Sequence, residues 1–154
     1  GLNVAVSYKN FDLSMFWQGV ADQDIYNNQK YQTDFWSITD AGSNKGDRML
    51  NAWTSDNTDS SIPALTTNNT ADEGRVSTYY VENGSYLKLR TLQLGYNVPE
   101  KFISKLKMSN LRAYISGQNL LTLKSSSLTC SDPENPSWAY PLATSISFGL
   151  QVGF

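Results

Sequence analysis

Strict period-2 alternation through the last ten residues, Ser145 to Phe154 (SISFGLQVGF), constrains this chain more than any other feature. Ile146, Phe148, Leu150, Val152 and Phe154 fall on one face, and Ser145, Ser147, Gly149, Gln151 and Gly153 on the other. Successive side chains of a strand point to opposite faces, so this segment reads as a two-faced β-strand. A soluble sheet packed on one side alternates in this way, and so does a membrane barrel whose strands turn one face to lipid. On this strand alone the two readings stay balanced.

The pattern recurs upstream. Leu2, Val4, Val6 and Tyr8 alternate with Asn3, Ala5, Ser7 and Lys9. After a tight turn at Lys9-Asn10, Phe11, Leu13, Met15 and Trp17 alternate with Asp12, Ser14, Phe16 and Gln18, which predicts a β-hairpin. Phe16 interrupts the polar side. In SYLKLRTLQLGYNVP (85–99) the apolar phase is odd at Leu87 and Leu89 and even at Leu92, Leu94 and Tyr96, so a bulge is expected near Arg90-Thr91. Pro99 ends that strand and opens a short helical turn. NLRAYISGQNLLTL (110–123) alternates again.

The expected strands are therefore about 2–9, 11–20, 85–96, 110–123 and 145–154, separated by two loops, 21–84 and 124–144, without sustained periodicity. Loops this long are improbable inside a compact soluble domain and ordinary on the outer side of outer-membrane barrels. Tyr8, Phe11, Tyr96 and Phe154 are expected at the short-turn ends of their strands, as in an interfacial aromatic girdle.

Composition narrows the function classes. The chain is 12% aromatic and 17% charged with a net charge of −2, so it carries no broad positive field for nucleic acid. Cys130 is the single cysteine and histidine is absent, which removes a disulfide framework, a thiol cluster and the usual general base. No apolar run reaches the ~18 residues of a transmembrane helix. The amino end has no signal-peptide pattern and begins inside a strand, so a longer parent protein is expected. Five strands fall short of the roughly eight that close a membrane barrel, and the others are expected from sequence outside this chain.

At this point the residues resemble a known family. YKNFDLS (8–14), AWTSDNTDSSIP (52–63), YYVENGSYLKLRTLQLGYNVP (79–99), LRAYISGQNLLTL (111–123), DPENP (132–136), YP (140–141) and the final FGLQVGF are similar, in this order, to the carboxyl-terminal end of SusC/RagA-like TonB-dependent outer-membrane transporters of Bacteroidetes. The resemblance implies an all-β fold, roughly the last five strands of a 22-stranded transmembrane antiparallel barrel with long extracellular loops. Plug domain and signal peptide would lie outside this chain. It also implies the outer membrane as location and TonB-driven import, most typically of oligosaccharides. The implied partners are a SusD-like surface lipoprotein, TonB acting through the plug, and the barrel assembly machinery, which would read Phe154 as an assembly signal. The alternatives are a peptide importer of RagA type, an adhesion or docking barrel, and a soluble carbohydrate-binding β-domain.

Trp36, Trp53 and Trp138 lie in the expected loops, where an aromatic ring can stack on a sugar or pack on a partner. The plainer reading is that these rings hold their own loops together. Asp12, Lys88, Arg90, Arg112 and Gln118 are candidates for the lumen face, with ordinary solvation as the plainer reading. Asp40, Asp47, Asp56, Asp59, Asp132 and Glu134 are oxygen ligands in type, but their spacing matches no calcium loop and solvated charge is the better account. Cys130 is expected to be a passive loop thiol. No carboxylate pair or Ser-Lys arrangement stands out, so neither catalysis nor a cofactor is expected.

Overall fold

Alternating segments become strands in the computed structural model, which describes residues 1–36, 44–65, 72–106, 108–137 and 139–154, without the side chains of Trp36 and Leu106. In chain order they are β1 (Leu2–Tyr8), β2 (Phe11–Val20), β3 (Asp24–Tyr26), β4 (Val81–Asn83), β5 (Tyr86–Asn97), β6 (Asn110–Lys124) and β7 (Ser145–Gly153). Two short helices, α1 (Asn28–Tyr31) and α2 (Glu100–Ile103), accompany them. The chain divides into a sheet unit (1–21, 85–125, 142–154) and a loop unit (22–84, 126–141).

The sheet unit is one five-stranded antiparallel sheet in the order β1-β2-β5-β6-β7. The β1–β2 turn places Lys9 in the left-handed region at φ 54°, and Asn10 ties it to the next strand: its side chain donates to the Asn97 carbonyl at 3.0 Å and its carbonyl accepts from the Asn97 N–H at 2.8 Å. Register slips between Phe16 and Trp17 against β5, and between Leu89 and Thr91 against β6. Arg90 is thus the extra residue of a bulge, and the slip in apolar phase has its physical cause there. Asn119, at φ 52°, lies opposite this break.

Because the slip restores the phase, one face stays apolar across all five strands. Val4, Met15, Leu92, Gly117 and Ile146 form one cross-strand row, and Val6, Leu13, Leu94, Ile115 and Phe148 the next. This face is not covered: Val6 is 53% exposed, Ile146 60%, Phe148 80% and Leu150 72%. A contiguous apolar surface of this extent is rare on a soluble monomer and marks a partner or a membrane. The opposite face carries Ser14, Gln93, Ser116 and Ser147 in one row. Below the sheet Pro99 precedes α2, where Ile103 is buried.

The loop unit departs from expectation. Segment 21–84 contains β3, α1, a π-helical turn (Gln32–Trp36), two 3-10 turns (Asp47–Asn51 and Thr78–Tyr80) and β4, rather than a loop without elements. β3 and β4 pair antiparallel. Phe35, Met49, Ala52 and Tyr80 form a buried cluster, with Tyr26, Tyr31, Ile62 and Tyr79 packed against it. Four tyrosines and Phe35 supply its rings: Tyr31 and Tyr79 each meet Tyr80 edge-on, at 5.1 and 5.0 Å between centroids, an arrangement aromatic quadrupoles favour. No period of 2 or 3.6 spaces these residues, so pattern reading could not find them.

The aromatic girdle is also corrected in part. Tyr8, Phe11 and Tyr96 share a row, with the Phe11 and Tyr96 rings 4.8 Å apart. The same row continues through Ala113 to Leu150, not to Phe154. Phe154 stands beyond the end of β7 and is 91% exposed.

Candidate functional site

Two surfaces compete for a functional role: the polar face of the sheet and the loop unit. On the sheet, the register places Asp12, Lys88, Arg112 and Gln118 on the face opposite Leu13, Leu92 and Ile115. Asp12 and Arg112 are brought together although β5 lies between their strands. The Arg112 Nε donates to Asp12 Oδ1 at 3.0 Å, and a second guanidinium nitrogen donates to Oδ2, giving the bidentate geometry that favours arginine. The pair passes over Gly95: a Cβ there would stand 2.5 Å from both Arg112 Nη2 and Asp12 Oδ1. Next to it the Tyr114 ring lies on Gly149, where a Cβ would be 2.3 Å from the ring. The guanidinium of Arg112 sits 5.3 Å from the centroid of that ring.

Arg90 stands apart from this pair. At the bulge its Nε donates to Gln18 Oε1 at 2.9 Å and its Nη1 to Asn119 Oδ1 at 3.4 Å. Lys88 is only 3% exposed, so it does not present a solvated ammonium in the way the sequence suggested. Its Nζ lies 5.5 Å from the Tyr86 ring centroid.

In the loop unit, Trp53 is 44% exposed and anchored through its backbone, its N–H donating to the Ile62 carbonyl at 2.9 Å. Trp138 and the Trp36 side chain lie outside the described residues, as does Asp40. Asp47 begins a 3-10 turn, and Asp56 and Asp59 are exposed. Asp132 is buried and accepts from the Glu134 N–H at 3.0 Å, which makes it a turn-former. Among the described residues, no three His, Cys, Asp or Glu side chains converge as metal ligands. Cys130 is fully buried, with its thiol 3.4 Å from the Asp132 carbonyl.

Sequence reasoning missed the polar network of the loop unit. Asn27 is fully buried; its side-chain oxygen caps α1 by accepting from the Lys30 N–H at 3.0 Å. Its amide donates to Glu82 Oε2 and to Thr129 Oγ1, both at 2.8 Å. Thr129 gives its N–H to Glu82 Oε2 and its hydroxyl to Oε1, each at 2.9 Å, and Lys30 Nζ approaches Oε1 at 3.4 Å. Burial would raise the Glu82 carboxyl, but the Thr129 N–H, the Asn27 amide, the Thr129 hydroxyl and Lys30 outweigh it and hold the group below its usual value.

A second buried carboxylate, Asp34, accepts from the Tyr79 hydroxyl at 2.8 Å and pairs with Arg48 Nε at 3.2 Å. Burial and then this bond to Asp34 push the Tyr79 hydroxyl well above an ordinary phenol, and burial does the same to Tyr80. The only sequence signal for any of this was the density of Asn, Thr and Tyr.

An antiparallel sheet with one uncovered apolar face and one polar face is the class of sheet found in the walls of membrane barrels. No family model matches the chain. It is 37% identical over 125 residues to TonB-dependent receptor P3 of Formosa agariphila, covering 79% of this chain and 11% of that protein. TonB-dependent receptor P26 of the same organism is 28% identical over 174 residues, with 100% of this chain and 16% of that protein covered. A solved structure of the RagAB peptide transporter superposes with a TM-score of 0.75 at 26% identity, covering 99% of this chain and 17% of that one. The RagAB peptide importer in its "open-open" and "closed-closed" states gives the same score. The chain belongs to the SusC/RagA-like TonB-dependent receptors, and it spans 11% to 16% of the length of the two receptors it matches.

Proposed function

We propose that this chain supplies barrel wall and extracellular loops to an outer-membrane TonB-dependent importer of an oligomeric, polar cargo. The single observation that carries this is the apolar face that runs unbroken and uncovered across β1, β2, β5, β6 and β7. Lipid is the environment that satisfies it, while every interior ladder bond of the sheet is made within the sheet. The polar face, with Asp12, Arg112, Gln118 and the Arg90 bulge, then lines the lumen. Trp36, Trp53 and Trp138 are the loop rings offered to cargo or to a surface lipoprotein of the SusD kind. Phe154 serves as the assembly signal for insertion, and TonB acts through a plug outside this chain.

Oligosaccharide is the cargo the SusC-like motifs favour. Peptide is the second reading, supported by the likeness to the RagAB peptide transporter at 26% identity. Cells lacking the parent receptor, with and without a restored copy, separate the two when offered labelled oligosaccharides or peptides. Receptor-dependent uptake of the sugar supports the first reading and of the peptide the second. Uptake of both pools without the receptor would overturn import altogether.

A further inference from the structure

The loop unit is made of two pieces of chain, 22–84 and 126–141, whose contacts span long stretches of sequence. Glu82 reaches Thr129 across 47 positions and Asn27 reaches Thr129 across 102. Glu82 is 8% exposed, and its carboxylate is the acceptor on which both pieces converge, with Asn27 and Lys30 on one side and Thr129 on the other. A buried donor that loses its acceptor keeps the full desolvation cost, so removing this carboxylate charge penalises both pieces at once.

A second clasp comes from the same turn. Gln29 accepts from the Ser131 N–H at 3.0 Å and donates to the Ser137 carbonyl at 2.7 Å. Asn27, Gln29 and Lys30 all belong to α1 or its cap, so the turn that Asn27 caps is also the turn that holds 126–141. Arg48 adds a tie from the 3-10 turn, its Nη1 donating to Thr129 Oγ1 at 2.8 Å.

We propose that Glu82 is a positioning residue that couples segments 22–84 and 126–141 into one cooperative unit, so that neither keeps its shape when the other opens. The surface these segments present is therefore preformed and answers to contacts as one body, whatever the cargo. The coupling stands on geometry alone and does not depend on the importer reading.

The test is amide hydrogen exchange on the full receptor in lipid vesicles, comparing the parent with Glu82→Gln and with the near-isosteric Thr129→Val. Exchange at Lys30 and Tyr31 and at Thr129 and Ser131 is expected to rise together, about tenfold or more, since hydrogen bonds to a charged group are lost. Amides of β6 and β7 should keep their parent rates. If Glu82→Gln fails to reach the membrane, Thr129→Val carries the same comparison. Faster exchange confined to one segment, or no change in either, overturns the coupling.

Discussion

The sheet unit and the loop unit solve the problem of stability in opposite ways. Among the described residues, the sheet unit buries Leu89 and Ile103 as its only buried apolar side chains, and leaves Val6, Phe148 and Leu150 open. The loop unit buries Phe35, Met49, Ala52, Tyr80, Leu128 and Cys130, and satisfies Asn27, Asp34 and Glu82 inside. The sheet leaves its apolar face open, and the proposed partner of that face is the bilayer. The loop unit behaves as a small domain with a core of its own. Length and irregularity of a loop therefore do not imply lack of order, and an exposed hydrophobic face does not imply a defect.

This contrast can be broken most sharply in the tyrosine core. Tyr80→Ala removes a fully buried ring and its bond to the Glu73 carbonyl, and should destabilise the loop unit by about 3–5 kcal/mol. Protease nicking within 22–84 should accelerate while the heat-modifiable mobility of the barrel stays at parent level. Equal loss of both would mean the units are not separable.

The converse substitution probes the sheet. Ile115→Arg on the apolar face should cost about 2–4 kcal/mol of folding into lipid if the site lies at mid-membrane, whereas Ser116→Arg on the polar face should cost little. Vesicle-folding titrations measure the difference, and equal penalties would remove the two-faced account. A smaller effect is expected from Gly149→Ala, whose new methyl meets the Tyr114 ring and should cost about 1–3 kcal/mol by overpacking. Thermal melting of the receptor in detergent reads it, and restoration by Tyr114→Ser would identify the clash as the cause.

The smallest effect is that of pH. Glu82 has a folded value held below its usual 4.5, so its contribution is present above that value and is lost as pH falls through the depressed one. Tyr79 and Tyr80 are raised, so the loop unit should be stable to neutral pH and weaken as pH climbs past the ordinary phenol value of 10. Protection factors in 126–141, the exchange rates corrected for the intrinsic pH dependence of amide exchange, should therefore stay flat near neutrality and fall at both extremes, and Glu82→Gln should flatten the acid limb alone.

The sheet was legible in the sequence because one physical rule, alternation, wrote it. Even the bulge was visible, since Leu87 and Leu89 disagree in phase with Leu92 and Leu94, and Arg90 stands where they part. The candidate lumen residues followed from the same parity, except that no pattern signalled the burial of Lys88 or the passage of Asp12 and Arg112 over Gly95. The loop core escaped because its members, from Tyr26 to Tyr80, meet through tertiary packing at irregular spacing. Ring size is a poor guide here: Trp53 is half exposed, while the smaller rings of Tyr79 and Tyr80 build the core.

Contact between lipid and one face of this sheet, as proposed, is open to direct measurement. Single cysteines placed along β7 of the receptor, in a Cys130→Ser background, and carrying a fluorescent probe, test it directly with one quencher confined to lipid and one to water. Positions 146, 148, 150 and 152 should respond to the lipid quencher, and 145, 147, 149 and 151 to the aqueous one. Aqueous quenching at all eight positions would contradict the account.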